Sequence, residues 1–91
     1  MGGSYRFVVR GRVQGVGFRA AAQGKALFLG LNGWIRNRDD GAVEGVVGSE
    51  DAQLVERFRD WLTHGPPGAR VAHLDWQPAA EDPGEGFRIR D

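Results

Sequence analysis

Apolar side chains alternate from Tyr5 to Arg12, with Tyr5, Phe7 and Val9 on one side and Arg6, Val8 and Arg10 on the other. From about Arg19 to Leu29 the period lengthens, since Phe18, Ala22, Ala26 and Leu29 recur at spacings of three and four. This change of period constrains the fold more than any other feature, because it predicts a half-buried strand that feeds a helix. Between them lies a glycine-punctuated stretch, Gly11 to Phe18, and Gly30 stands where the helix should stop.

The same reading carries along the chain. Trp34 to Arg38 and Ala42 to Val47 are strand-like runs joined by Asp39, Asp40 and Gly41, which predicts an antiparallel hairpin. Ser49, ahead of Glu50 and Asp51, is the expected N-cap of a second helix, whose stripe is Leu54, Val55, Phe58, Trp61 and Leu62. Gly65, Pro66 and Pro67 end that helix. Val71 to Trp76 is a further strand, and Phe87 to Arg90 a short last one. The order matches the split βαβ, ferredoxin-like arrangement of the α+β class, with two helices packed on a mainly antiparallel sheet of four to five strands. No repeat or linker divides residues 1–91, so a single domain is expected.

Composition narrows the functions such a fold could carry. The chain has no cysteine, which removes disulfides, thiolate metal sites and a cysteine nucleophile. Twelve basic residues balance twelve acidic ones, which argues against a nucleic-acid or membrane-surface partner. Of the basic residues only Lys25 is a lysine, and the arginines favour planar, two-pronged anion contacts. No apolar run reaches the roughly 18 residues of a membrane span, and the start of the chain lacks the apolar core of a secretion signal, so a cytoplasmic protein is expected. His64 and His73 stand apart from other ligand-type residues, and no metal or other cofactor is expected. Glycine is in excess, at fifteen of 91 residues, without a collagen-like period, so each glycine calls for a local reason.

The local reason is clearest in Gly11-Arg12-Val13-Gln14-Gly15-Val16-Gly17-Phe18-Arg19. Gly15 and Gly17 can take positive φ and turn successive N–H groups inward, while the following helix offers its unpaired amides to the same space. Arg19 adds a permanent charge. A phosphate pocket is the expected result. A Walker A loop does not fit, because Gly24-Lys25 is followed by Ala26 and position 19 is not glycine. Gly15-Val16-Gly17-Phe18-Arg19-Ala20 meets the dinucleotide pattern formally, but the predicted hairpin conflicts with an all-parallel nucleotide-binding unit.

The run from Val9 to Arg19 resembles the first signature of the acylphosphatase family, and Gly33-Trp34-Ile35-Arg36-Asn37 with Gly41 and Val43 resembles the second. The likeness extends to the Phe87-Arg88-Ile89-Arg90 ending. It implies a ferredoxin-like sandwich that hydrolyses the carboxyl-phosphate bond of a small acyl phosphate. By the same resemblance Arg19 is the phosphate-binding catalytic arginine and Asn37 the asparagine that positions the attacking water, with Gln14, Gly15, Val16, Gly17 and Phe18 around the substrate. Ile35, Ser49 and the small run Ala20-Ala21-Ala22 depart from the residues usual at those places, and none of these changes removes a catalytic group.

This chemistry suits a site with few titratable groups. The leaving group is a carboxylate whose conjugate acid has a pKa near about 4, so it departs without a general acid. Phosphoryl transfer is dominated by alignment and charge stabilisation, which a backbone cradle, an arginine and an amide can supply. A monomer is expected. The competing reading is a noncatalytic phosphate-binding or RNA-binding module, with Arg6, Arg10, Arg36, Arg38, Arg88 and Arg90 on an exposed sheet face. The run Gly45-Val46-Val47 lacks the aromatic residues such a face uses for stacking.

Overall fold

The computed structural model describes residues 3–90. The alternating run becomes β1 (Gly3–Arg12), and the first helix is α1 (Phe18–Phe28). The hairpin is β2 (Asn32–Asn37) and β3 (Val43–Ser49), followed by α2 (Ala52–Leu62), β4 (Arg70–Ala79) and β5 (Phe87–Ile89). One five-stranded sheet has the order β4-β1-β3-β2-β5. All neighbours are antiparallel except β2 and β5, which run parallel with Ile35 opposite Ile89. Each helix thus links two strands that have a third inserted between them, the split βαβ pattern expected from the sequence.

Burial follows the alternation. Phe7 and Val9 of β1 are fully buried with Ile35, Val43 and Val47 in one core that also takes Val55, Phe58 and Leu62 from α2. Phe7 crosses Gly45 of the neighbouring strand so closely that a Cβ there would stand 2.5 Å from its Cζ, so that glycine makes room for an aromatic ring. Phe58 meets Phe7 and Phe87 edge-on, which ties α2 to the sheet centre and to β5. The buried face of α1 is Phe18, Ala22 and Ala26, and its small alanines bring the helix close to β2 and β5.

One expectation is revised. The α2 N-cap is Asp51, whose side chain accepts from the Gln53 N–H, while Ser49 Oγ accepts from the Asp51 N–H one step earlier. Strand β3 runs on to Ser49 because its pairing with β1 continues that far, and this moves the helix start by two residues. The arginines of the outer sheet face do not form a free row. Arg6, Arg36 and Arg38 gather on Glu44, which is 2% exposed, and Arg10 and Arg38 also pair with Asp40. Arg90 lies 4.4 Å from the centre of the Trp34 ring, and Arg88 donates to the carbonyls of Glu85 and Pro83.

Candidate functional site

The first strand and first helix are joined by residues 13–17, and the conformation of this loop follows from its glycines. Gly15 and Gly17 both have φ of 76°. A Cβ on either would meet nothing within 4 Å, so glycine is required there by backbone conformation and not by crowding. Gly17 sits at the N-cap of α1 in the left-handed region and offers no side-chain cap, and the first turn of α1 has no acidic residue. Among the described residues, none of the backbone N–H groups from Gln14 to Ala20 donates to a protein acceptor. The contrast with α2, capped by Asp51, is direct. An uncapped helix start beside a glycine loop leaves several amides and the positive dipole end facing one space.

That space is a cavity of about 220 Å³ lined by Val13, Gln14, Gly15, Gly17, Phe18, Arg19, Ala20, Asn37 and Ile89. Arg19 is the second residue of α1, half-buried, and forms no ion pair among the described residues. A cation in the first turn opposes the helix dipole, so the bare protein gains nothing from its charge there, whereas a bound anion would satisfy both. Phe18 anchors the helix start, being 1% exposed and packed on Trp61 of α2 with ring centres 5.5 Å apart.

Asn37 reaches the cavity from the last position of β2, opposite Val43. Its Oδ1 is buried and has no hydrogen-bond partner among the described residues. A buried acceptor of this kind is costly unless something from outside the fold, such as a water molecule, donates to it. Gln14 also lines the cavity, yet its Nε2 donates to the carbonyls of Arg38, at 2.8 Å, and Ala42, at 3.0 Å. Val16 is not among the lining residues, and its side chain packs against the core. Ile89, part of the family-like ending but not expected in the site, enters the wall because β5 pairs with β2.

The lining residues include one ionisable group, Arg19. No carboxylate, histidine, lysine or tyrosine is among them. Among the described residues there is also no group of three or more His, Asp or Glu side chains placed to hold a metal ion. His64 lies at the end of α2 beside Thr63 and the Asp60 carbonyl, and His73 pairs with Asp75 on β4, as isolated side chains. The arrangement can bind a compact anion and present one amide to a nucleophile.

Comparison with known proteins places the chain in one family and one fold. The acylphosphatase family matches residues 5–89. An acylphosphatase of Azoarcus sp. (strain BH72) is 52% identical over 79 residues, covering 87% of this chain and 80% of that protein. The solved structure of an acylphosphatase from Coxiella burnetii superimposes with a TM-score of 0.92 at 34% identity, covering 98% of this chain and 93% of the other. The Bacillus subtilis acylphosphatase superimposes at 0.88 with 35% identity over the whole of both chains.

Proposed function

The chain belongs to the acylphosphatase family and is an enzyme that hydrolyses acyl phosphates, and from that premise we propose that Arg19, Asn37 and the loop amides carry the reaction. The observation behind this reading is the pairing, in one cavity, of uncommitted amides and an unpaired arginine with the orphaned Oδ1 of Asn37.

In this reading the phosphoryl oxygens lie on the backbone N–H groups between Gln14 and Phe18, with the guanidinium of Arg19 across them. These donors strengthen as charge gathers on the transferring group, and each such donor contributes on the order of a hundredfold in rate. Asn37 Oδ1 accepts a hydrogen bond from water and turns an oxygen lone pair toward phosphorus. The P–O bond to the acyl oxygen breaks as the water oxygen bonds to phosphorus, and the carboxylate leaves with the bonding pair. The water proton goes to a phosphoryl oxygen, since the lining side chains offer no base to receive it. An acyl phosphate and water thus become a carboxylate and inorganic phosphate.

The absence of an acid among the lining residues supports selectivity by leaving group. An alkoxide leaving group needs a proton that this cavity does not supply, whereas a carboxylate does not. The decisive assay compares acetyl phosphate or benzoyl phosphate with a phosphate monoester, with inorganic phosphate as competitor. Selective hydrolysis of the acyl phosphates with competitive inhibition is expected, and equal rates on the monoester would remove the leaving-group argument.

A further inference from the structure

We propose that Gln14 is a positioning residue that locks the phosphate cradle to the strand bearing Asn37, and that its side chain does not bind substrate. This inference rests on the reading of Arg19 and Asn37 given above.

Gln14 stands directly before Gly15, at the entrance to the cradle. Its Nε2 carries two protons, and both are directed at carbonyls of the β2-β3 hairpin, those of Arg38 and Ala42. The Ala42 carbonyl also accepts from the Arg38 N–H, at 2.8 Å, and the Arg38 carbonyl from the Gly41 N–H, at 3.2 Å. Gln14 therefore supplies the second donor to each of the two carbonyls that close the turn. Arg38 follows Asn37, and Ala42 precedes Val43, the residue opposite Asn37 in the ladder. A single side chain from the loop thus grips both ends of the hairpin turn, next to the rung that holds Asn37.

The state of Asn37 makes that grip important. Its Oδ1 has no protein partner, so no hydrogen bond to that oxygen fixes where it points. Its placement is set by the backbone on either side, and the backbone is what Gln14 holds. With both amide protons committed, Gln14 has no side-chain donor left for a phosphoryl oxygen. An error of about 1 Å between a nucleophile-orienting group and its target costs on the order of a hundredfold in rate. Losing the grip should therefore slow turnover while leaving the cradle's affinity for phosphate largely intact.

The test uses Gln14→Met, which keeps length and removes the donors, alone and combined with Asn37→Ala in the full chain. Benzoyl phosphate turnover and inhibition by inorganic phosphate are read, with circular dichroism on each variant. Gln14→Met is expected to lower kcat by about ten- to a hundredfold, with KM and the phosphate inhibition constant within about threefold of the parent. Once Asn37 is already alanine, the same change should cost less than about threefold, because the group it positions is gone. Equal losses in the two backgrounds overturn the proposal, as does a raised KM and phosphate inhibition constant at unchanged kcat. An Asn37→Ala variant of undiminished kcat sinks the water-orienting reading and this proposal with it, whereas the other failures sink positioning alone.

Should Gln14→Met not fold, Gln14→Glu offers an independent readout. Its carboxylate faces two carbonyls without a donor at about pH 7 and regains one O–H donor when protonated toward about pH 5. The ratio of its kcat to that of the parent should rise as pH falls over that range, and a flat ratio overturns the proposal.

Discussion

The ring of Phe18 packs against Gly65 so closely that a Cβ built on the glycine would stand 2.6 Å from Cε2. Gly65 ends α2, with φ of 70° and its N–H donated to the Trp61 carbonyl, and Phe18 opens α1. The contact joins the end of one helix to the start of the other, where Arg19 stands. Gly65→Ala should therefore act twice, through strain at positive φ of about 1–2 kcal/mol and through displacement of the Phe18 ring. A fall in stability of roughly 2–4 kcal/mol by urea denaturation is expected, with a raised KM for acyl phosphate as the helix start shifts. Unchanged values of both would contradict both the strain and the ring contact.

Arg19 separates function from stability. It makes no ion pair among the described residues and opposes the α1 dipole, so Arg19→Ala should leave the unfolding free energy within about 0.5 kcal/mol of the parent or raise it slightly. The same change should lower kcat/KM by about a thousandfold or more and abolish competition by inorganic phosphate. Arg19→Lys keeps the charge but not the fork and should remain strongly impaired. Normal hydrolysis by either variant would remove Arg19 from the mechanism.

Asn37→Ala should cost on the order of a hundredfold in kcat with phosphate inhibition little changed, as expected of a group that acts on water and not on the phosphoryl oxygens. It also removes a buried acceptor with no protein partner. Stability should therefore hold or rise by up to about 1 kcal/mol, as when a functional residue carries a local cost to the fold. A clear loss of stability at undiminished kcat would mean that Asn37 serves the hairpin and not the reaction.

Acid should weaken the hairpin turn through Asp40. The Ala42 N–H bonded to its Oδ1, with Arg10 and Arg38 close by, holds this carboxyl below its ordinary value despite an opposing effect of desolvation. A depressed folded-state pKa contributes stability that is present above the unfolded-state value of about 3.9 and is lost as pH falls through the folded value. Asp40→Asn should thus be less stable than the parent at neutral pH, and the gap should close as the solution is taken well below about pH 4. Urea midpoints of the two proteins across that range check the sign, and a gap that widens toward acid would contradict it.

The elements themselves were legible because their signals are local. Alternation at Tyr5, Phe7 and Val9 and the three-four spacing of Phe18, Ala22 and Ala26 each reflect which side of one element meets the core, and the structure buries those sides. The conformation of Gly15 and Gly17 and the place of Arg19 at a helix start were likewise legible, since they depend on a few consecutive residues. Helix-cap choice was less so. Asp51 takes the role expected of Ser49 because the β1-β3 ladder extends to Ser49 and holds its backbone in the sheet.

What the sequence alone determined, then, is the order of elements, the glycine cradle and, through the family resemblance, the arginine and asparagine to examine. Tertiary structure decided what brings them together. Asn37 is eighteen positions from Arg19, and only the insertion of β3 between β1 and β2, with α1 packed across β2, carries it to the same cavity. The parallel pairing of β5 with β2, which adds Ile89 to the wall, and the gathering of three arginines on Glu44 were also decided at that level. So were the two bonds from Gln14 to the hairpin. The reason is physical: periodicity and turn preference act over a few residues, whereas strand register and cross-chain hydrogen bonds form only when distant segments close on one core.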